Sequence, residues 1–549
     1  MGLDHGGLHW NGWGSADRSG AAPVPDELWS WLAQQLGMRA LLATPSRALD
    51  NVEIAPSRLS PRDRQILSVL LGPEKVRDDK RERARHAGGR GYADLLRLRA
   101  GDLTSAPDAV VYPASNEDVL KLLAFASEFE IAVVPWGGGA NVVGSLAPLR
   151  HFHHAAITLD LRDMNRVEVV DAKARMARVQ AGIMGPQFES ALAKHGLMLG
   201  HRPDMFEFST LGGWIASGVA DAASLTARDW LLGVDIATPR GMLRDDDVAL
   251  SDGPIRARDL IVGSRGAFGI ITRATVRLRP QPVASYAAAY MFRDFESGAA
   301  AIQEIARERV PYAALNLSDA DETRFLGALH SFGRDPSLRD RMVNLALGAA
   351  HYKAPCMLTA VFEGTRDTVT CGRRNLSRVA RKHGALPVGA APAKRWLQQR
   401  FQKPNLRDAM LDHGLGFETI VISTNWHKLS DLYTAARGTL QKAIGDTVPR
   451  LARGFVLCHT SHFSSQQVNL TFDCIFPRAL NDELAQCSAL WSAALQVAAS
   501  CGGAVINGSS MSNTNAGTGQ DTLKAAILRA VRDTLDPKGI LRPGRLFPS

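Results

Sequence analysis

Three glycine-rich segments are the residues of this chain that could most directly take part in chemistry. They read PWGGGANVVG (residues 135–144), STLGGWIASG (residues 209–218) and GSRGAFG (residues 263–269). Glycine lets backbone N–H groups approach an anion with no Cβ in the way, so such a run can bind a phosphate. One triplet alone indicates no more than a turn. Three such segments in one region favour a site for a long, diphosphate-bearing ligand.

The spacing of the glycines matches neither common nucleotide-binding fingerprint. The first run is contiguous, unlike GxGxxG, and no Gly-Lys-Ser/Thr follows it as in a Walker A loop. Three independent turns therefore remain the alternative to a ligand site.

Strand and helix patterns place these segments in α/β sequence. DAVVYP (residues 108–113) predicts a strand, the next stretch predicts a helix capped by Ser115, and IAVVPW predicts a strand running into the first glycines. After Pro280 and Pro282, further helices alternate with the strand candidates CMLTAVFEG, FETIVIST and VNLTFDCIF. The order predicts two α/β units with a break near residue 283.

Length and composition set broader limits. A chain of 549 residues is too long for one ordinary core, and 45% hydrophobic with 22% charged residues is typical of a soluble globular protein. No apolar run is long enough for a membrane helix, so we expect a cytoplasmic protein. Six scattered cysteines without a CxxC pair predict reduced thiols.

The net charge of +9 suits an anionic cofactor or substrate, but the basic residues are dispersed, and we expect no nucleic-acid partner. The basic run at residues 75–101 predicts a solvated helix or loop. His151, His153 and His154 lie close together, yet no set of acids accompanies them. They are interpreted as solvated loop histidines, and no metal site is expected.

Several longer motifs are more specific than the glycines. They are WNGWG (residues 10–14), HRPDMFEFSTLGGWIASG (201–218), IVGSRGAFGIITRATVRLRP (261–280), PNLRDAMLDHG (404–414) and LDPKGILRPGRLFP (535–548). In this order they resemble the FAD-binding flavoproteins of the vanillyl-alcohol oxidase or PCMH type, in particular the alkyldihydroxyacetonephosphate synthase branch.

The resemblance implies an α+β fold. A helical N-terminal region (residues 1–105) would precede a PCMH-type FAD-binding domain of two α/β subdomains (106–283). An α/β cap domain for the substrate (284–500) and a C-terminal segment returning to the FAD domain (501–549) would follow. FAD would be held noncovalently, with its pyrophosphate at the first glycine segment and two further segments as walls. The implied cofactor-binding residues are Pro135, Trp136, Gly137, Gly138, Gly139, Ala140, Asn141, Pro203, Asp204, Met205, Phe206, Glu207, Phe208, Ser209, Ala216, Ser217, Gly218, Val219, Arg265, Gly266, Ala267, Phe268, Gly269, Ile270 and Ile271.

The resemblance also implies catalytic positions, and there this chain departs from the family. Enzymes of that branch exchange an acyl chain for a fatty alcohol on a dihydroxyacetone phosphate skeleton, and Arg407 matches their substrate-binding arginine. A structural ion pair is the alternative role for Arg407. Thr471 stands where the family has a tyrosine general acid, and Asn507, Gly508 and Ser509 replace three histidines.

Threonine cannot perform the proton transfer of a tyrosine, and asparagine cannot shuttle protons as histidine does. His459, His462 and His201 are the histidines that could serve instead, although packing roles for His459 and His462 are equally compatible with the sequence. Among the catalytic candidates are therefore Arg407, Thr471, His459 and Asn507.

Two functions remain open from sequence. The first is an FAD-dependent oxidoreductase or flavin-using transferase acting on an altered small-molecule substrate, anionic or lipid-like. The second is a catalytically degenerate FAD-binding scaffold or partner-binding protein, favoured by the substituted proton-transfer positions. The sequence leaves open whether the protein forms a homodimer and whether it contacts a membrane surface.

Overall fold

The computed structural model of the protein describes residues 8–14, 24–245, 256–332, 352–401, 403–448, 452–507 and 522–543. Helices and strands alternate along most of these ranges. The helices are α1 Asp26–Gln35, α2 Pro61–Leu71, α3 Lys80–Arg85, α4 Tyr92–Ala100, α5 Asn116–Glu128, α6 Gly185–Ala193, α7 Leu211–Ser217, α8 Ala227–Trp230, α9 Ala257–Ile261, α10 Phe295–Arg307, α11 Ala320–Ser331, α12 Arg366–Lys382, α13 Ala391–Gln399, α14 Lys403–Asp412, α15 Leu429–Gly445, α16 Glu483–Ser500 and α17 Thr522–Leu535.

The strands form four sheets. They are β1 Val76–Arg77, β2 Ala109–Val111, β3 Ile131–Trp136, β4 Ala155–Asp160, β5 Val167–Asp171, β6 Met176–Gln180, β7 Leu197–Met198, β8 Leu231–Thr238, β9 Gly241–Arg244, β10 Ile270–Arg277, β11 Arg279–Pro280, β12 Ala284–Phe292, β13 Ala314–Ser318, β14 Cys356–Gly364, β15 Leu386–Gly389, β16 Leu415–Asn425, β17 Phe455–Thr460, β18 Gln467–Pro477 and β19 Ala504–Val505.

A four-stranded sheet of order β1-β2-β4-β3 carries the first glycine segment. Strands β2, β3 and β4 are parallel and almost wholly buried, which explains their continuous apolar sequence. Helix α5 crosses between β2 and β3, and the Ser115 side chain accepts a hydrogen bond from the backbone N–H of Asp118. The predicted strands and the capped helix are thus confirmed here.

A five-stranded antiparallel sheet of order β5-β6-β10-β8-β9 follows. Helices α6 and α7 pack with it in one apolar core that includes Phe188, Leu211 and Trp214. Further along, residues 540–542 lie against β3, where the backbone N–H of Val133 donates to the carbonyl of Ile540 at 2.8 Å. The end of the described chain therefore contacts the sheet that carries the first glycines.

The largest sheet has eight strands in the order β15-β12-β14-β13-β17-β18-β16-β19. One face is covered by α10, α12, α15 and α16, whose apolar side chains form the largest core with alternate strand residues. The opposite face is apolar at both ends. Helices α1, α11 and α14 cover one end, and the other packs against α13.

Between these ends lies a row of polar side chains, here called the polar strip. Antiparallel register pairs Asn316 with Thr359, His459 with Thr471, and Thr419 with Asp473, so the members of each pair share a face. The strip comprises Asn316, Thr359, Thr419, His459, Thr471 and Asp473.

The basic run at residues 75–101 is not solvated as predicted. Arg83, Arg85, Arg90 and Arg99 are buried, and Arg90 is 0% exposed. Its guanidinium donates to the carbonyls of His9, Gly12, Gly88 and Gly89. Backbone acceptors replace water around this charge, although burial still lowers the pKa of Arg90 to about 10.

His153 also departs from its predicted place in a solvated loop. Its ring is buried and lies between the carbonyls of Glu130 and Gly539, each 3.1 Å from a ring nitrogen. His151 and His154 are exposed, as expected. All six cysteines are free thiols, and none of the described helices is long and apolar enough to cross a membrane.

Replacing Arg90 should destabilise the fold much more than replacing a solvated arginine of the same run. Arg90→Met leaves four carbonyl groups without their donor, and those of Gly12, Gly88 and Gly89 are buried. We therefore expect the free energy of unfolding to fall by about 3 kcal/mol or more. The control is Arg81→Gln, at an exposed position of α3, which should change stability by less than about 0.5 kcal/mol. Urea unfolding measures both, and equal losses would contradict a structural role specific to Arg90.

Candidate functional site

The first glycine segment forms a loop of free backbone donors directly after β3. Within the described ranges, the backbone N–H groups of residues 137–142 donate to no protein acceptor. Gly139 adopts a left-handed conformation with φ of +77°, which turns successive N–H groups towards a common point. Such a concave run of donors is suited to an anion. The Asn141 side chain secures the end of the loop by accepting from Val143 and Ser145.

The loop packs directly on the second predicted segment. A Cβ on Gly138 would lie 1.8 Å from the carbonyl oxygen of Phe208, so only glycine permits this approach. In the second segment, Ser209 donates to the carbonyl of Met205 and accepts from the indole N–H of Trp214. Phe206 stacks on Trp214, while Pro203 is buried and Asp204 and Glu207 are exposed.

The end of α7 meets the third predicted segment. The backbone N–H of Arg265 donates to the carbonyl of Ala216 at 2.7 Å, and Gly218 lies against Gly263. Ser217 and Val219 are exposed beside this contact. The structure therefore brings all three predicted segments together.

Not every residue of the third segment can contact a ligand through its side chain. Ala267, Phe268, Ile270 and Ile271 are buried, and the last three belong to the apolar cores of the two smaller sheets. Their buried side chains fix the position of the backbone in the third segment. Arg265 differs, because its half-buried guanidinium has no partner among the described residues. Burial lowers the pKa of Arg265.

Arg407 projects from α14 onto the polar strip. It is 3% exposed, its Nη2 donates to the hydroxyl of Thr419 at 3.0 Å, and its guanidinium lies over the ring of Phe417. The Thr419 hydroxyl in turn donates to Asp473 at 2.6 Å. Arg407 makes no ion pair with a described carboxylate, and its Nε has no acceptor. The alternative role of a direct structural ion pair is therefore not the arrangement observed.

His459 stands beside the substituted tyrosine position. It lies directly opposite Thr471 across β17 and β18, and its Nδ1 is 2.9 Å from a carboxylate oxygen of Glu322. A carboxylate at Nδ1 helps to fix the orientation of the ring. Thr471 itself is buried on β18. The sequence could not reveal Glu322, because α11 reaches the strip only through the fold.

Glu322, His459 and Asp473 could also hold a metal ion. One ligand atom from each lies within 4.8 Å of the others, and one nitrogen with two carboxylate oxygens suits a divalent cation. In the structure, Glu322 already contacts His459, and Asp473 accepts from Thr419.

The side-chain amide of Asn507 is hydrogen-bonded to the backbone and has a structural role. Its Oδ1 accepts from the backbone N–H of Val421, and its Nδ2 donates to the carbonyl of Thr419, both at 2.8 Å. The amide therefore continues the ladder of β16, although the sequence makes Asn507 a catalytic candidate. Gly508 and Ser509 lie outside the described residues.

The remaining predicted histidines lie near the second segment. His201 is 0% exposed between Trp214 and Trp230, and burial lowers its pKa to about 3, so it is neutral. His462 contacts the hydroxyl of Ser461, and burial lowers its pKa too.

A second contact ties α14 to the N-terminal motif. Asp408, next to Arg407, accepts from the backbone N–H of Trp13, and the Trp13 ring packs edge-on against Phe208 at 5.9 Å. Burial raises the pKa of Asp408 to about 7. The WNGWG motif therefore bridges the predicted segment 203–209 and the helix that carries Arg407.

Comparison with known proteins agrees with this architecture. The FAD binding domain family matches residues 107–246, and the C-terminal domain of FAD linked oxidases matches residues 280–546. An alkyldihydroxyacetonephosphate synthase of Dictyostelium discoideum is 29% identical over 99% of this chain and 94% of its own length. A solved alkyldihydroxyacetonephosphate synthase structure covers 98% of both chains with 28% identity and a TM-score of 0.84. A p-cresol methylhydroxylase structure covers 90% of this chain and 98% of its own at 16% identity and a TM-score of 0.70, which shows a shared fold.

Asp408 should make stability depend on pH. The folded protein retains its proton up to about pH 7, whereas the unfolded chain releases it near 3.8. The free energy of unfolding therefore falls as the pH rises between these values, by about 3 kcal/mol from pH 5 to pH 8 for this group. Asp408→Asn should remove that part of the dependence in urea unfolding.

The matched control is Asp412→Asn, a half-exposed carboxylate on the same helix that pairs with Arg99. It should retain most of the parent's pH dependence, because burial raises the pKa of Asp408 more than the charge of Asp412 does. If the free energy of unfolding changed with pH equally in the parent and in Asp408→Asn, this would contradict a raised pKa at Asp408.

Proposed function

The chain belongs to the FAD-linked oxidase family of flavoenzymes, and on that premise we propose that it acts on a small anionic molecule bound by Arg407, with His459 as the proton-transfer group. The observation that carries the proposal is the position of His459. It lies opposite Thr471 and is held by Glu322, so an imidazole stands beside the position of the missing tyrosine.

The residues present fit FAD. We place its pyrophosphate on the free N–H groups of residues 137–142, because two phosphates need several donors at once. The segments 203–209, 216–219 and 265–271 would form the walls, and the unpartnered Arg265 would supply positive charge. Bound FAD supplies the electron-accepting ring that this chain lacks.

Arg407 would orient the substrate. A guanidinium donates in pairs to a phosphate or carboxylate, and the free Nε of Arg407 leaves donor capacity beyond its bond to Thr419. Its burial strengthens such a bond by excluding water.

His459 would take up the proton lost from the substrate at the ring nitrogen that does not face Glu322. The carboxylate of Glu322 would hold the ring and stabilise the imidazolium that results. Thr471 would contribute shape and a hydroxyl hydrogen bond but no proton transfer. Oxidation of a hydroxyl-bearing carbon requires this proton step. Exchange of an acyloxy group for an alcohol requires it too, since the incoming alcohol loses its proton as a carboxylate leaves.

A catalytically inactive FAD-binding scaffold is the second candidate. The substitutions at Thr471 and Asn507 favour it, and the amide of Asn507 is already used by β16. The two candidates differ in whether bound flavin ever reacts with a small molecule.

Gly138→Ala should abolish FAD retention. The added Cβ must displace the carbonyl of Phe208 and with it the loop of donors. We expect the purified variant to be colourless while the parent shows flavin absorbance. Gly327→Ala is the control, since a Cβ there meets nothing within 4 Å. Full flavin content in Gly138→Ala would place the pyrophosphate elsewhere.

Arg407→Gln and His459→Gln should retain FAD but each lower turnover by about 100-fold. The assays are flavin bleaching by simple 2-hydroxy acids and exchange of a fatty alcohol into acyl-dihydroxyacetone phosphate. His427→Gln, at an exposed position, should change neither rate. Glu322→Gln should shift the pH profile of the remaining activity.

Normal turnover in His459→Gln would overturn its role. An FAD-loaded parent that reacts with neither substrate class would instead support the scaffold.

A further inference from the structure

A second cluster of arginines lines a cavity away from Arg407. The cavity lies between the loop before the second glycine segment and the edge formed by β13, β14 and α13. The polar residues lining it are Arg202, Asp221, Arg279, Glu363 and Arg400. Three guanidinium groups thus share one cavity with two carboxyl groups.

The protein holds each arginine without giving it an ion pair. Arg279 donates from Nη2 to the carbonyl of Gly200 at 3.1 Å, and its buried Nε has no acceptor. Arg400 lies over the ring of Phe401 at 4.6 Å, and its buried Nε is also without an acceptor. Arg202 forms no ion pair with any carboxylate in the described ranges. These guanidinium groups therefore carry more N–H donors than the described residues offer acceptors.

The two carboxyl groups do not cancel this charge. Asp221 uses Oδ1 to accept from the backbone N–H groups of Ala223 and Leu225, so half of its accepting capacity serves its own loop. Burial raises the pKa of Asp221, which favours its neutral form. Burial and the neighbouring charge of Arg202 lower the pKa of Arg400, although the carboxyl groups of Asp204, Asp221 and Glu363 act in the opposite direction.

We propose that this cavity binds an oxyanion group of a small molecule, a phosphate monoester or a carboxylate, through Arg202, Arg279 and Arg400. An oxyanion would accept from guanidinium N–H groups at the cavity and relieve the repulsion between Arg202 and Arg400. Planar guanidinium groups held by a carbonyl and by an aromatic ring are already oriented for such a ligand, which limits the entropy lost on binding.

The cavity is next to the proposed flavin wall but uses other residues. Arg202 immediately precedes that segment, and Phe401 stacks on Phe206 at 5.7 Å. The proposal goes beyond the proposed function, because it requires no role for Arg407 or His459. It predicts that phosphate binding and flavin binding are lost through different substitutions.

The test is titration of the FAD-loaded protein with inorganic phosphate and, separately, with acetate, followed calorimetrically. Arg400→Gln and Arg202→Gln should each weaken binding of the preferred anion by about tenfold or more, which corresponds to about 1.4 kcal/mol. Arg400→Lys should restore part of the affinity, since it restores the charge without the planar fork. Lys394→Gln, an exposed cation on α13, is the control and should bind the anion like the parent.

The possible results distinguish the arginine-lined cavity from the proposed flavin site. Tighter binding of phosphate or of acetate identifies the class of the ligand. Binding of either anion supports the proposal if the arginine variants lose it and the control variant does not. Absence of binding, or equal binding in all variants, overturns it. Loss of flavin absorbance from properly folded Arg202→Gln and Arg400→Gln would assign these arginines to the cofactor and also overturn it.

If the glutamine variants do not fold, selenate soaked into crystals of the parent provides a second test. Its anomalous signal should lie within hydrogen-bond distance of at least two of the three guanidinium groups, and no signal there would overturn the proposal. Turnover and flavin retention in Arg407→Gln and Gly138→Ala test the proposed function independently of these results.

Discussion

The buried guanidinium of Arg90 is the interaction on which the site depends most. Its four carbonyl acceptors come from two parts of the chain, residues 9–12 and 88–89. Its backbone N–H donates to the carbonyl of Asn141, at the end of the first glycine loop. A charge that cannot reach water holds its acceptors firmly, because losing any of them leaves a buried polar group unsatisfied. The N-terminal motif is thereby fixed beside the loop, and through Asp408 it also contacts the helix that carries Arg407.

In the eight-stranded sheet, successive side chains of a strand alternate between the apolar core and the polar strip. Along β18, Leu470, Phe472 and Cys474 enter the large core, while Thr471 and Asp473 face the polar strip. A shift of one residue in register would exchange these two sets, so the apolar core also fixes where the chemical groups stand. The placement of His459 opposite Thr471 follows from the same register. The energy of the core is thus what maintains the geometry of the site.

Local patterns in the sequence predicted much of this fold, because they report short-range physics. The cap at Ser115, the buried parallel strands and the three glycine segments each have a local signature, and the structure contains all of them. The wrong predictions concern residues whose surroundings are set by contacts between distant parts of the chain. Arg90 and His153 read as solvated because their sequence is polar, whereas distant carbonyls satisfy both of them in the fold. Glu322 and the cluster of Arg202, Arg279 and Arg400 carried no local signal, since tertiary packing alone brings them together. Motif matching selected Asn507 by position, but its amide completes a backbone ladder.

That amide has a consequence for the outer edge of the largest sheet. Strand β19 covers only Ile422 and Ser423 of β16, and the Asn507 side chain occupies the next donor and acceptor, at Val421 and Thr419. An edge strand with free N–H and C=O groups can recruit a strand from another molecule and so begin aggregation. The amide of Asn507 pairs with β16 as a backbone peptide group would, so fewer backbone groups of β16 stay unpaired although β19 is short. The asparagine at this position therefore leaves fewer backbone groups of β16 available for pairing with a strand of another molecule.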